Sequence, residues 1–156
     1  MDLKTLKIDN PLYIGQIAPL VHQFFKRVEK NPSIKGISYE SLTSYFTNII
    51  QYGQEMAEFH IVLDNDKPVA FAMWRVLGIP HYGISFCEYI YNSTKTNEPM
   101  EMLCEEFIKY GEKRNTPYYG FLAINKAVAR RLTTISKQFN LTLENTGLIN
   151  FIGRRA

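Results

Sequence analysis

The chain has 156 residues, 46% of them hydrophobic and 21% charged, with a net charge of +3 from 18 Lys and Arg against 15 Asp and Glu. This balance excludes a disordered chain and suits one globular domain, residues 1–156, with a single sizeable core. The charge permits an anionic ligand but is too small for a dedicated nucleic-acid-binding protein. No apolar run approaches the roughly 20 residues that cross a bilayer.

Cysteine usage and the N-terminal residues favour a cytoplasmic protein. Cys87 and Cys104 are the only cysteines, and their spacing matches no metal site. We therefore expect reduced, partly buried thiols and no bound metal. The segment Met1–Lys4 is not followed by the apolar stretch of a signal peptide, which argues against secretion.

The first part of the chain predicts a short strand, Leu3–Ile8, followed by a helix. The helix is indicated by apolar residues at helical spacing, namely Ile17, Leu20, Val21, Phe24, Phe25 and Val28. Pro19 is expected to kink or split this helix, because proline removes a backbone donor. Asn31-Pro32 is expected to end it.

A second helix follows with no strand between the two. Ser38 is its expected N-cap and Gly53 lies at its expected C-terminal end. Its apolar stripe consists of Leu42, Tyr45, Phe46, Ile49 and Ile50.

The middle of the chain predicts three strands. Phe59–Leu63 and Val69–Leu77 form a hairpin around the turn Asp64-Asn65-Asp66. Gly83–Asn92 is the third strand, after a break at Gly78-Ile79-Pro80-His81.

The last part returns to alternating helices and strands. A helix over Glu98–Arg114 precedes a strand over Tyr118–Ile124, and Asn125 begins the last helix. A final pair of strands, Leu141–Leu143 and Leu148–Ile152, turns at Asn145-Thr146-Gly147.

The predicted order is β-αα-βββ-α-β-α-ββ. A strand-helix-strand passage requires parallel pairing, whereas hairpins require antiparallel pairing. We therefore predict an α/β fold with a mixed, mostly antiparallel sheet of six to seven strands and about four flanking helices.

This order resembles the fold of the GNAT N-acetyltransferases over nearly the whole chain. Glu88-Tyr89-Ile90-Tyr91-Asn92 resembles the fourth strand of that family, which ends just before the cofactor pyrophosphate. Asn125 followed by Val128-Ala129 is similar to the family's Asn-x-x-Ala helix start. Lys137-Gln138-Phe139-Asn140-Leu141 stands where many members have Lys-x-Gly-Phe. The resemblance implies acetyl-CoA as co-substrate, bound beside Tyr89, Ile90, Tyr91 and Asn125.

The segment after the fourth strand departs from the family pattern. Members usually have Arg/Gln-x-x-Gly-x-Gly/Ala there, and the glycines bring backbone N–H groups close to the pyrophosphate. Here the segment contains no glycine and reads Asn92-Ser93-Thr94-Lys95-Thr96-Asn97-Glu98-Pro99-Met100. Polar groups of Ser93, Thr94, Lys95, Thr96 and Asn97 could hold the phosphates instead. Alternatively, Thr96 or Asn97 is an ordinary N-cap, with Glu98 and Pro99 in the first helical turn.

Amine acylation by a thioester benefits from a general base and from close positioning of the two substrates. Glu88 is the candidate base, since strict strand alternation places it on one face with Ile84, Phe86 and Ile90. Apolar neighbours of this kind favour the proton-accepting role of a carboxylate. Alternatively, Glu88 is a carboxylate at a strand bulge, paired with Arg75.

Tyr118 and Tyr119 open the strand beside the expected cofactor cleft. Either could donate a proton to the leaving thiolate, or both could fill the core. Asn125 could bond the cofactor or cap the last helix. The cations Lys126, Arg130, Arg131 and Lys137, with Arg154 and Arg155, form either a basic surface for an anion or a nucleic acid or the solvated side of an amphipathic helix.

Three functions are compatible with these features. The first is an acetyltransferase that acts on a small-molecule or protein amine by direct attack within a ternary complex. The second is a GNAT-like protein that no longer binds coenzyme A and recognises a macromolecule. The third is a structural homo-oligomer, such as a homodimer, with tyrosine- and phenylalanine-rich surfaces buried against copies of itself.

Overall fold

The computed structural model describes residues 2–29, 38–53, 57–78, 83–123, 125–145 and 150–155, with backbone alone at 144, 145 and 150–155. A short 3₁₀ turn at Pro11–Tyr13 precedes the first helix. The elements, in chain order, are β1 (Leu3–Ile8), α1 (Ile14–Val28), α2 (Tyr39–Tyr52), β2 (Ala57–Asp64), β3 (Lys67–Leu77), β4 (Ile84–Asn92), α3 (Glu98–Lys113), β5 (Tyr118–Leu122), α4 (Lys126–Lys137), β6 (Leu141–Asn145) and β7 (Asn150–Arg155).

The strands form one seven-stranded sheet in the order β1-β2-β3-β4-β5-β7-β6. Every neighbouring pair is antiparallel except β4 and β5, which are parallel because α3 crosses between them. The predicted element order and the predicted mixed, mostly antiparallel sheet are therefore confirmed.

The two faces of the sheet carry separate apolar clusters. Helices α1 and α2 cover one face, where Phe24, Phe46 and Phe71 pack together. Helices α3 and α4 cover the other, which holds Trp74 and Phe107. Side chains along β3 alternate between these clusters, as strand geometry requires. The two clusters allow each face to be assigned to a pair of helices.

Local signals predicted several element boundaries correctly. The Ser38 hydroxyl accepts a hydrogen bond from the Ser41 N–H at 3.0 Å and caps α2. The Gly53 N–H donates to the Ile49 carbonyl at the other end of that helix. Asn65 and Asp66 form the predicted turn with positive φ angles, which their short polar side chains tolerate.

The predicted split of the first helix at Pro19 is wrong. Helix α1 runs without interruption from Ile14 to Val28. Pro19 deprives the carbonyl of Gly15 of its helical donor, but Gly15 is exposed and water can satisfy that oxygen. The predicted helix end at Asn31-Pro32, and residues 124 and 146–149 of the last predicted strands and turn, lie outside the described residues.

Candidate functional site

The parallel strands β4 and β5 part before β4 ends. Their pairing runs from Ile84 opposite Tyr118 to Cys87 opposite Phe121. Beyond Cys87, β4 continues to Asn92 along β3 alone, whereas β5 ends one residue after Phe121. Ligands of open α/β sheets bind outside the carboxyl ends of parallel strands. The cleft between these two ends is therefore the candidate functional site.

Glu88 occupies a β-bulge at the point of separation. Met73 of β3 pairs with Tyr89 and Trp74 pairs with Cys87, so Glu88 has no partner on β3. The extra residue turns both Glu88 and Tyr89 toward the face covered by α1 and α2. The prediction that Glu88 shares a face with Ile90 is therefore wrong, because Ile90 packs in the cluster on the α3 side.

The Glu88 carboxylate is held by two side chains. The Tyr45 hydroxyl of α2 donates a hydrogen bond to Oε2 at 2.8 Å. Nε of Arg75 lies 3.2 Å from the same oxygen, with 40% of the Arg75 side chain and 18% of the Glu88 side chain exposed. The alternative prediction for Glu88, a carboxylate at a strand bulge paired with Arg75, is thus confirmed. It does not conflict with a catalytic role, since the carboxylate still reaches solvent.

Two phenols respond to this charge. Burial raises the pKa of Tyr45 above its ordinary value, and the hydrogen bond to Glu88 raises it further. Burial also raises the pKa of Tyr89 to about 12, with a smaller contribution from the Glu88 charge. Both phenols therefore stay protonated at neutral pH, and Tyr45 acts as a donor toward Glu88.

The glycine-free loop after β4 is organised by Asn92. Its side-chain carbonyl accepts hydrogen bonds from the backbone N–H and the hydroxyl of Thr94, at 2.9 and 2.7 Å. Its amide donates to the Thr96 carbonyl at 2.7 Å. The Ser93 hydroxyl donates to the Val69 carbonyl on β3. Side chains of the loop thus supply the order that glycine-dependent turns supply elsewhere, while Lys95 is exposed.

Arg131 of α4 joins this loop to the last helix. Its Nε donates to the Asn97 side-chain oxygen at 2.9 Å, and its Nη2 donates to the Thr96 carbonyl at 3.1 Å. Asn97 stands at the N-cap position of α3, but its side chain makes no capping hydrogen bond. The prediction of Asn97 as N-cap, with Glu98 and Pro99 in the first turn, is therefore confirmed in position. Its side chain does not cap the helix, because the oxygen that would do so accepts from Arg131.

The remaining predicted residues occupy different surroundings. Tyr118 is 38% exposed at the start of β5, whereas Tyr119 is 2% exposed and donates to the Ile108 carbonyl inside the α3 cluster. Tyr91 packs in the α1–α2 cluster, where its hydroxyl donates to Gln23. The Asn125 oxygen accepts a hydrogen bond from the Val128 N–H at 2.9 Å, so this residue caps α4.

The structure thus brings the predicted residues into three groups. Glu88 and Tyr89 lie with Tyr45 on the α1–α2 side. The loop 93–97 lies with Arg131 beside the start of α3. Ile90 and Tyr119 lie in the α3 cluster.

Sequence analysis did not single out Tyr45 for the site, and it named Arg131 only as one of several cations that could form an anion-binding surface. Tyr45 lies on an apolar helical stripe, where a phenol is indistinguishable from core filling. Arg131 belongs to a run of cations that also suits a solvated helix face. No signal in the sequence pairs either residue with its partner.

Other features of the described chain lie apart from this site. A groove of about 410 Å³ follows the polar side of α2 and is lined by none of the predicted site residues. The described residues contain no group of three His, Cys, Asp or Glu side chains that could hold a metal ion. None of the described helices combines the length and the apolar character that crossing a membrane requires.

Comparison with known proteins places the fold. No family model and no curated protein matches the sequence. A PaiA N-acetyltransferase from Thermoplasma acidophilum in complex with coenzyme A superposes with a TM-score of 0.67 and 12% identity, over 99% of each chain. A predicted acetyltransferase from Clostridium acetobutylicum with acetyl-CoA has a TM-score of 0.66 and 14% identity, over 85% of this chain and 88% of its own.

A ribosomal-protein-alanine N-acetyltransferase from Brucella melitensis biovar Abortus 2308 has a TM-score of 0.60 and 13% identity, over 86% of this chain and 91% of its own. Sequence identities this low carry information on the fold alone. The fold is the same in all three comparisons and agrees with the element order described above. The chain therefore has the fold of the GNAT N-acetyltransferases.

Proposed function

We propose that this protein is an acyl-CoA-dependent N-acyltransferase that transfers an acetyl group to an amine by direct attack within a ternary complex. The observation that carries the proposal is the position of Glu88. Its carboxylate stands on a bulge where the parallel strands part, at the edge of the cleft between them. Two proteins of the same fold contain acetyl-CoA or coenzyme A in their crystals, which supports the same co-substrate here.

The start of α3 offers donors that fit a pyrophosphate. The first backbone N–H groups of a helix have no partner within the helix and favour an anion. In α3 these groups are the N–H of Glu98 and of Met100, since Pro99 has none and the Glu101 N–H donates to the Asn97 carbonyl. The Asn97 side chain does not cap them, because it accepts from Arg131. Arg131 and the exposed Lys95 add two positive charges beside these groups. Glu98 opposes an anion, so the fit depends on these two cations.

Several loop hydroxyls are already committed. Ser93 donates to Val69, and Thr94 donates to Asn92. We therefore assign phosphate binding to the backbone of residues 93–97 and to Lys95, Thr96 and Arg131. The backbone of Tyr89, Ile90 and Tyr91 is unpaired on the β5 side and would border the pantetheine arm. Asn125 would contribute its amide nitrogen, since its oxygen caps α4.

The side chains around Glu88 would move protons. The thioester supplies an acyl group that a neutral amine attacks. Glu88 would accept the proton that the acceptor nitrogen loses, directly or through water. Tyr45 and Arg75 keep its carboxylate at the mouth of the cleft. Tyr119 is not available as a proton donor to the leaving thiolate, because its hydroxyl is bonded to Ile108, and Tyr118 stands three residues before the point where the two strands part.

Calorimetric titration with acetyl-CoA tests the proposal. We expect saturable binding at micromolar to millimolar coenzyme, and initial-rate patterns of a ternary complex once an acceptor is supplied. Glu88→Gln should lower kcat by about 100-fold with coenzyme affinity unchanged. Glu105→Gln, an exposed carboxylate on α3, is the matched control and should change neither quantity. Absence of heat and of a thermal shift at millimolar acetyl-CoA would contradict the proposal. It would favour a binding protein of the GNAT fold that does not use coenzyme A.

A further inference from the structure

We propose that the acceptor amine carries a carboxylate close to its nitrogen, as a free amino acid does, and that Arg75 receives that carboxylate. This inference rests on the proposed acyltransferase function and names its substrate class. It is carried by the pairing of one positive and one negative side chain at the cleft, where the described side chains of β3, β4 and β5 on that face include no other charge.

The surface in question is the α1–α2 face of β3, β4 and β5, here called the acceptor face. Helix α1 packs against β3 and α2 against β2, so these helices cover the part of the sheet nearer β1. Farther along, Ile84 and Phe86 of β4 remain half-buried and Tyr118 of β5 remains exposed. A Cβ on Gly120 of β5 would meet the Phe86 ring at 2.9 Å, so this ring lies over β5. The described helices thus leave an apolar floor beside Glu88.

Among the side chains that the structure describes, the acceptor face carries one charged pair. Among the described residues of β3, β4 and β5 that point to this face, only Arg75 and Glu88 are ionisable as cation and carboxylate. Tyr89 lies within the field of both, since the Glu88 charge raises its pKa and the Arg75 charge lowers it. The two charges are therefore adjacent and cancel each other at the mouth of the cleft.

Arg75 retains hydrogen-bonding capacity beyond this pair. Its Nε is in contact with Glu88 at 3.2 Å, but its N–H is not aimed at an acceptor and forms no hydrogen bond. The contact is thus not the bidentate arrangement in which a guanidinium and a carboxylate satisfy each other. With 40% of the side chain exposed, the fork of Arg75 can bind a second carboxylate.

Electrostatic balance selects among acceptor classes. A dipolar amino acid can place its nitrogen at Glu88 and its carboxylate at Arg75, which leaves each charge matched. A polyamine brings further positive charge beside Arg75, and an amine without a carboxylate leaves Arg75 with Glu88 as its single charged partner among the described residues. The same reasoning disfavours the N-terminus of a protein, which presents a peptide carbonyl in place of the carboxylate.

The experiment compares matched acceptors in a coenzyme-release assay. The panel contains the common amino acids and, for each, the corresponding amide. For the wild-type protein we expect kcat/KM to favour the acid over its amide by about tenfold. In Arg75→Gln both reactions should slow, because Glu88 loses a partner, but the acid reaction should slow by more, so that the preference disappears. In Arg75→Lys the preference should be partly retained. Comparing variants at one pH removes the intrinsic reactivity of each acceptor from the ratio.

Two control measurements distinguish the role of Arg75 from the proposed acyltransferase function. Acetyl-CoA titration of Arg75→Gln should give the wild-type affinity, which also reports a folded protein. Glu88→Gln should slow acids and amides to the same extent. Three outcomes would overturn this inference and leave the proposed function standing. They are coenzyme binding without any preference for the acid, a preference that Arg75→Gln does not change, and coenzyme binding without turnover of any panel member. Failure of acetyl-CoA to bind the wild-type protein would overturn the proposed function itself.

Discussion

Arg131 and Asn97, 34 residues apart in the chain, are joined by a hydrogen bond of 2.9 Å from Nε to Oδ1. The bond diverts the N-cap side chain of α3 away from its own helix. A second bond, from Arg131 to the Thr96 carbonyl, fixes the loop that precedes the helix. Together with Asn92, this guanidinium fixes the end of the glycine-free loop, and the first turn of α3, in which Pro99 has no N–H, is left without a side-chain cap.

Arg131→Ala should weaken coenzyme binding. The substitution removes a cation from the proposed phosphate site and releases Asn97 to cap α3. We expect a loss of about fivefold to tenfold in affinity, which corresponds to one charge-assisted hydrogen bond. Isothermal titration at two salt concentrations measures it, because an electrostatic contribution fades as salt is added.

The neighbouring residue supplies the control for this prediction. Arg130 lies on the same helix and is exposed, so Arg130→Ala changes the net charge equally without touching the loop. We expect it to retain nearly the wild-type affinity. Equal losses in the two variants would mean that Arg131 acts only through net charge, and would contradict the role assigned to its two hydrogen bonds.

Gly111→Ala should destabilise the fold. A Cβ at this position would lie 2.3 Å from the ring of Tyr119, which is fully buried. The better helix propensity of alanine contributes about 1 kcal/mol in its favour, but overpacking a closed core costs about 1–3 kcal/mol and a contact this short belongs at the upper end. We expect a net loss of about 2 kcal/mol in the free energy of unfolding, measured by urea titration.

Gly15→Ala is the counterpart on α1. Nothing lies within 4 Å of a Cβ built there, and the position is exposed. It should stabilise the protein by about 0.5 kcal/mol through lower entropy of the unfolded chain. A Gly111→Ala variant as stable as Gly15→Ala would show that the Tyr119 ring yields without cost.

The two cysteines should be inert in the folded state. Cys87 and Cys104 are buried, and burial raises the pKa of both thiols, that of Cys104 to about 12. Because the thiolate is the reactive form, a disulfide reagent at pH 8 should modify them only as the protein unfolds. Stopped-flow absorbance with and without urea measures this. Rapid modification of either thiol in native buffer would contradict the buried placement.

Sequence patterns predicted those parts of the fold that depend on neighbours in the chain. Ser38 and Asn125 cap their helices through hydrogen bonds that span three residues. The strand and helix periods are equally local. Their order was distinctive enough to indicate the sheet topology.

The candidate site depends on contacts between distant segments, which local patterns do not specify. Whether Glu88 faces α2 or α3 follows from the register of β3 against β4, where one extra residue reverses the alternation. Tyr45 meets Glu88 across 43 residues of chain. Strict alternation predicted Ile90 on the same face as Glu88. The bulge turns Ile90 to the opposite face, and the Tyr45 hydroxyl contacts Glu88 instead.

Glu58 should make the stability of the protein depend on pH. Its carboxylate accepts a hydrogen bond from His60 at 2.8 Å and lies near Lys7 and Arg114, at 3.7 and 3.8 Å. Burial alone raises the pKa of Glu58, but the hydrogen bond from His60 and the charges of Lys7, Arg114 and protonated His60 lower it by more, so the pKa lies below its ordinary value. A carboxyl with a lowered pKa in the folded state binds its proton more readily in the unfolded chain. Its stabilising contribution is therefore complete above the unfolded pKa and is lost as the pH falls through the folded pKa.

Glu58→Gln tests the sign of this dependence. At pH 7 the variant should be less stable than the wild-type protein by about 1–2 kcal/mol, since a half-buried charged acceptor is lost. The difference should narrow as the pH falls below about 4.5, where the wild-type carboxyl also becomes neutral. Urea unfolding across that range measures both proteins, with Glu105→Gln, whose pair with Lys109 is exposed, as a control of nearly unchanged stability. A difference that widens on acidification would mean that Glu58 is destabilising as a carboxylate and that burial outweighs its three partners.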